Sequence, residues 1–297
     1  MSNPTVEIPT RMLVLGMLDE RGGVAAEDLA PVAEACGTGP EQLRSCLRRL
    51  VGEGALERRG AGRAARYVAT PLARDALARQ HERLRRAFAL DRGVPDWDGQ
   101  WHLAGFAIPE AERAARDALR DRLLALGGAA VQGGLYVAAQ PWEPEVGAAA
   151  KELGVEGAVT LAATTDLCVG GVREPRELAR RLWPLDALAA SYAGFDTHFR
   201  PALSVLAGMR ARREPLPDAA FLPGALAMAV AFQSAFDGDP LLPRALLPAP
   251  WPGAAARELL VASRRLALAL RAAQGRPRLF QLFDADYAES LAQEDVP

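Results

Sequence analysis

The 297-residue chain is 50% hydrophobic and 24% charged, an ordinary globular composition with length for two or three domains. Its formal net charge of −2 excludes a protein that attracts polyanions along its whole length. Cys36, Cys46 and Cys168 are an odd number with no C-x-x-C spacing, which argues against a disulfide framework and against a zinc site. The opening MSNPTVEIPTR lacks a charged-then-apolar signal pattern. The most apolar stretch, FLPGALAMAVAF from Phe221, is too short and proline-marked to cross a bilayer. A cytoplasmic protein is expected.

Charge is unevenly placed. Residues 40–92 hold 13 arginines against 6 acidic residues, leaving the remainder of the chain clearly acidic. TRMLVLGMLDERGG sets Met12, Leu15 and Leu18 at helical spacing, with Gly22 and Gly23 as the stop. EDLAPVAEACG reads as a second short helix closed by Gly37. TGPEQLRSCLRRLVGEG opens a third, with Thr38 as N-cap and Pro40 in the first turn. Leu43, Leu47 and Leu50 form its apolar stripe, and Gln42, Arg44, Ser45, Arg48 and Arg49 lie off it. ALERRG and RAARYVAT then read as two short strands around Ala61 and Gly62, followed by a charged helix from Pro71 to Leu90.

A loop with Pro, Asp and Gly at 91–97 marks a domain boundary. Beyond it come a strand in WHLAGFAI, a helix in PEAERAARDALRDRLLALGG, one or two strands in AVQGGLYVAAQ, a helix near 144–153 and a strand in AVTLAATTD. This strand-helix-strand-strand-helix-strand order is that of a ferredoxin-like α+β domain. From Glu177 the pattern is helical. The expected fold class is multidomain α+β: a winged helix-turn-helix domain with a linker helix over 1–92, a ferredoxin-like domain over 93–176 and an all-helical domain over 177–297.

Three helices followed by a hairpin is the order of a winged helix, whose recognition helix enters the major groove while the wing lies along the backbone. Residues 40–52 fit the first role and 56–69 the second. The DNA-contacting candidates are therefore Gln42, Arg44, Ser45, Arg48 and Arg49, with Arg58, Arg59, Arg63 and Arg66 from the wing. Arginine grips phosphates or the O6 and N7 acceptors of guanine. The histidines, His81, His102 and His198, have no metal-ligand spacing and read as structural.

The chain resembles the PaaX-type repressors over nearly its whole length. The resemblance rests on EQLRSCLRRLVGEGALERRGAGRAARYVAT, on WDGQWHLAGFAIPEAERAARDALRDRLLALGGAAVQGGLYVAAQPW, and on SYAGFDTHFRP with DGDPLLPRALLPAPWPG. It implies a homodimeric transcriptional repressor, released from a double-stranded DNA operator by a small-molecule effector. For the family's namesake that effector is an acyl-CoA thioester, phenylacetyl-CoA. Trp97, Trp101, Arg113, Arg116 and Arg120 are the candidates to receive such an effector here. No cofactor and no metal is implied.

Two enzymatic readings compete. The middle domain also resembles the ferredoxin-like CRISPR-associated endonucleases, but WHLAGFAI carries no acid, and Asp98 before it suits a turn. A thioester hydrolase would want a G-x-S-x-G elbow, and there is none. A non-enzymatic regulator is the expectation.

Overall fold

The computed structural model describes residues 6–94, 96–271 and 278–283, and of Arg63 the backbone only. The chain forms two compact units. One comprises Met1–Phe88, Tyr192–Phe236 and Gly253–Pro297, the other Ala89–Ser191 and Asp237–Pro252.

The first unit begins with α1 (Thr10–Gly16), β1 (Gly23–Ala25), α2 (Ala26–Ala35), α3 (Pro40–Gly52), β2 (Leu56–Arg59), β3 (Arg66–Ala69) and α4 (Pro71–Asp91). Helices α2 and α3 and the β2–β3 hairpin lie where their sequence patterns place them, whereas α1 ends at Gly16, short of Leu18 and of the expected stop at Gly22. Strand β1 has no such pattern. Gly22, read as a helix stop, instead turns the chain at φ 73°, and Asp19 Oδ1 accepts the N–H groups of Arg21 and Gly23 at 2.9 Å each. The released strand pairs antiparallel with β3, Gly23 opposite Val68, in a sheet of order β1-β3-β2. Thr38 is not the cap of α3. The cap position is Gly39, with Pro40 in the first turn and no side-chain cap, while Thr38 is buried.

The second unit holds β4 (Trp101–Phe106), α5 (Arg113–Ala125), β5 (Ala129–Gln132), β6 (Leu135–Ala138), α6 (Glu143–Glu152), β7 (Val159–Thr164) and α7 (Pro175–Leu182). All strand pairs are antiparallel, in the order β5-β6-β4-β7. Because side chains alternate along a strand, β4 sends Trp101 and Leu103 to one face and Ala104 and Phe106 to the other. Ala104, Tyr136 and Ala138 meet Leu119 and Leu123 of α5 and Val146 of α6. On the opposite face Trp101 and Val137 meet Leu178 and Trp183, together with Leu242, Leu246 and Leu247. The proline-rich DGDPLLPRALLPAPWPG is thus a core layer of this unit. Gly127, at φ 89°, admits it closely: a Cβ there would stand 2.5 Å from the Pro240 carbonyl oxygen.

The remaining helices are α8 (Leu185–Arg212), α9 (Asp218–Phe236) and α10 (Pro252–Ala269). Helix α8 is one continuous helix with Pro201 inside it. The α9 helix extends past the apolar stretch seen in sequence. Its 19 residues, with hydropathy 1.6, are long and apolar enough to cross a membrane by length and composition. Phe221, Leu222 and Leu226 of this helix are nonetheless buried with Leu13, Leu29, Val32 and Leu47, in the core of the first unit. Arg271, itself buried, lies 3.7 Å above the Phe221 ring and donates to Asp218 at 2.6 Å.

His102 is buried on β4, and its Nδ1 donates to Glu143 Oε1 at 2.6 Å. The Glu143 carboxylate also accepts the Trp142 N–H at 2.9 Å, at the start of α6. Burial pushes this carboxyl up, but the His102 hydrogen bond and the backbone amides outweigh it and hold the group below its ordinary value. A depressed carboxylate stabilises the fold above its unfolded pKa and loses that contribution as pH falls through the folded value. Glu143→Gln should therefore cost on the order of 1 kcal/mol at neutral pH. Urea unfolding across the acid range should show a shallower loss of stability in Glu143→Gln than in the parent below about pH 4.5.

Candidate nucleic-acid interface

The sequence of α3 dictates its two faces. Leu43, Cys46, Leu47 and Leu50 recur at three- and four-residue steps, so one stripe is buried against α1, α2 and the sheet. Gln42, Arg44, Ser45, Arg48 and Arg49 are consequently exposed on the outer side. The buried leucines fix the helix, and the helix fixes the origin of each polar side chain.

The hairpin adds a second row. Strand β2 buries Leu56 and exposes Glu57, Arg58 and Arg59, while β3 exposes Arg66. Arg58 lies opposite Tyr67, and Arg59 opposite Arg66. Arg63 stands in the 3₁₀ turn Gly62–Ala64 that joins the strands. Gly60 and Gly62, at φ 79° and 62°, give this turn backbone that larger residues rarely adopt.

Most of these arginines already hold a carboxylate. Arg44 pairs with Glu41, Arg66 with Asp19, Arg59 with Glu57 at 3.0 Å, and Arg49 with Glu53 at 3.8 Å. Glu53 also takes Arg11 of α1 at 2.5 Å. Arg48 and Arg58 have no ion-pair partner among the described residues. The sequence reading named the arginines and missed these acids. Helical spacing foretells Glu41–Arg44 and Arg49–Glu53. Nothing local foretells Asp19–Arg66, which the pairing of β1 with β3 creates. Burial raises the Cys46 thiol against the opposing pull of Arg49, so it stays protonated inside α3.

The five residues considered for an effector do not converge on one pocket. Trp97 and Trp101, with ring centroids 5.2 Å apart, belong to the core on the α7 side of the four-stranded sheet. Trp101 stacks in turn on Trp183 at 6.2 Å. Arg113, Arg116 and Arg120 stand on α5, which covers the other side. They are matched by acids: Arg116 reaches Glu110 at 2.6 Å, Arg113 reaches Asp117 at 3.6 Å, and Arg120 reaches Asp121 at 3.0 Å. Asp98, the acid weighed for nuclease chemistry, accepts the Gln100 N–H at 2.9 Å as a turn former. Among the described residues no group of three or more His, Cys, Asp or Glu could hold a metal ion.

Comparison with known proteins places this architecture. The model of the PaaX protein central Cas2-like domain matches residues 94–179, and that of the PaaX-like protein C-terminal domain matches residues 183–274. Together they span more than half of the chain, which belongs to the PaaX family and is a PaaX-type regulator. The transcriptional repressor PaaX of Escherichia coli (strain K12) is 28% identical over 246 residues, covering 82% of this chain and 74% of that one. An uncharacterized protein of Mycobacterium tuberculosis aligns with a TM-score of 0.49 at 23% identity, covering 90% of this chain and 92% of the other.

The two faces of α3 separate cleanly in their expected behaviour. Leu50→Ala should lower unfolding stability by about 2–5 kcal/mol, because Leu50 is fully buried. Arg48→Ala should shift it by no more than about 0.5 kcal/mol. Urea titrations followed by circular dichroism test both.

Proposed function

We propose that this chain is a sequence-specific transcriptional repressor that binds operator DNA through a winged helix-turn-helix at its N-terminus. In this reading α3 is the recognition helix and the β2–β3 hairpin is the wing. The central unit carries a ferredoxin-like domain, the C-terminal helices form a third domain, and two chains act together in the cytoplasm. A small-molecule effector, with acyl-CoA thioesters first among the candidates, releases the DNA. The observation that carries the reading is the row of polar and arginine side chains on α3, held outward by a buried leucine stripe beside an arginine-bearing hairpin. Membership of the PaaX family, and the repressor name of the Escherichia coli relative, support it.

The same reading assigns the DNA contacts. Gln42, Arg44, Ser45, Arg48 and Arg49 would meet base edges and flanking phosphates in the major groove. Arg58, Arg59, Arg63 and Arg66 would follow the backbone. Trp97, Trp101, Arg113, Arg116 and Arg120 stay with the proposal as effector residues in a restricted sense. An anionic group at the α5 arginines would compete with Glu110, Asp117 and Asp121, and the tryptophans lie across the sheet from α5. An effector acts by preferring the conformer that fits the operator badly, and a hundredfold release needs about 2.7 kcal/mol of such preference.

Fluorescence anisotropy on the DNA immediately upstream of the chain's own gene, against a scrambled duplex at two salt concentrations, is the direct test. Tight, salt-sensitive and selective binding supports the repressor, and equal weak binding to both duplexes refutes it. Arg48→Ala and Arg58→Ala, which remove cations without ion-pair partners among the described residues, should each weaken binding to every duplex. Each should also lower the salt slope by about 0.9 where the arginine contacts a phosphate. Glu57→Gln, which frees Arg59, should tighten binding to the scrambled duplex. Adding acyl-CoA thioesters to the complex then tests release.

A further inference from the structure

Helix α7 carries a second arginine surface. Leu178 and Ala179 are buried with Trp101 and Val137 of the four-stranded sheet, and this fixes which side of the helix faces out. Arg176, Arg180 and Arg181 are therefore exposed. Arg176 Nε donates to the Ala245 carbonyl at 2.8 Å, which sets its guanidinium beside the 3₁₀ turn Arg244–Leu246, whose Arg244 is exposed too. On the other side of the helix Arg181 lies against the hairpin turn of Gly170 and Gly171, at φ 57° and 84°, closed by the Val169–Val172 bridge. A Cβ on Gly170 would stand 2.5 Å from Arg181 Nη2, so glycine there is what admits the guanidinium.

None of Arg176, Arg180, Arg181 and Arg244 has an ion-pair partner among the described residues. Nearby acids are engaged elsewhere: Asp166 pairs with Arg173, and Glu174 caps α7 by accepting the Glu177 N–H at 2.7 Å. Glu177 stands three and four residues before Arg180 and Arg181 and pairs with neither. By contrast Arg44 and Arg49 of α3 and Arg113, Arg116 and Arg120 of α5 all hold carboxylates. Arg176 and Arg180 are one turn apart, where like charges repel. An anion presenting several charges at once relieves that repulsion.

We propose that the α7 surface binds the phosphate backbone of duplex DNA, as a contact that reads no sequence and is separate from those of α3 and the hairpin. Guanidinium groups fork onto phosphate oxygens. These four are spread from the Ala245 side of the helix to its Gly170 side and do not converge on one point. A single small anion meets one or two of them, whereas a duplex, with one charge per ~1.7 Å of its axis, meets them all. The inference takes its ligand from the proposed function, but the surface itself does not depend on α3 or the hairpin.

The test is the salt dependence of DNA binding by the full chain, on the upstream duplex and on a scrambled one, beside a variant carrying Arg176→Gln, Arg180→Gln and Arg244→Gln. All three positions are exposed, so circular dichroism and the unfolding midpoint of the variant should match the parent. The variant should flatten the slope of log K against log salt by about 0.9 for each phosphate released. It should weaken binding to both duplexes by the same factor and leave their ratio unchanged. Arg176→Lys, Arg180→Lys and Arg244→Lys together should keep the slope, because the charge is retained; loss of slope here would overturn a contact made by charge. A glutamine variant with the parent's slope overturns the proposal. If calorimetry shows that this variant loses tripolyphosphate binding while its DNA slope stays, a free phosphate compound replaces the duplex and the proposal is overturned. Arg48→Ala in the same series separates the two readings. A slope lowered by Arg48→Ala and not by the α7 variant sinks the α7 contact alone. Equal, weak binding to both duplexes that the α7 variant abolishes sinks the sequence-specific repressor and upholds the α7 contact.

Discussion

A four-stranded sheet that is apolar on both faces cannot be covered by the helices that connect its own strands. β4 sends Trp101 and Leu103 one way and Ala104 and Phe106 the other, and α5 and α6 cover only the second face. The first face needs a layer from elsewhere in the chain. It comes from α7, the residues to Leu185 and the loop that contains Leu242, Leu246 and Leu247. Trp183 is tied into that layer by donating its indole N–H to the Gly127 carbonyl at 3.0 Å. The chain therefore leaves the unit after residue 191 and returns at 237. The first unit obeys the same demand. The short helices α1, α2 and α3 enclose too little apolar surface alone, and Phe221, Leu222 and Leu226 of a distant helix complete their core.

This burial requirement also explains what could be read in the chain beforehand. Periodicity located α3, the hairpin, β4, α5 and the strand-helix order of the central unit, because in each a local repeat reports which side is buried. The three-residue β1 is too short to have a period, and its position depends on a turn made by Asp19 and on a partner more than forty residues away. DGDPLLPRALLPAPWPG has the composition of a loop, and composition does not reveal that its leucines Leu242, Leu246 and Leu247 belong to a core. Family resemblance marked that segment as significant where propensity did not. At the candidate DNA surface the exposed residues of α3 followed directly from the leucine stripe. Their carboxylate partners followed from sequence only where both lie on one helix.

Those carboxylates decide what kind of surface this is. An exposed Arg–Glu or Arg–Asp pair is worth between about 0 and 1 kcal/mol. It costs little to exchange for an arginine–phosphate contact, yet it cancels much of the long-range field that draws a protein to any nucleic acid. A row of arginines already matched to Glu41, Glu53, Glu57 and Asp19 is geometrically prepared without being strongly attractive at a distance. Only close, well-registered approach makes the exchange favourable. On the proposed reading, Arg48 and Arg58, unmatched among the described residues, would supply part of the residual attraction. On the proposed reading, an acidic chain with net charge −2 would thus carry a DNA-facing surface whose affinity depends on fit more than on charge. Balanced overall charge and a dense arginine cluster are, on this account, two consequences of one requirement: that binding to arbitrary sequence stay weak.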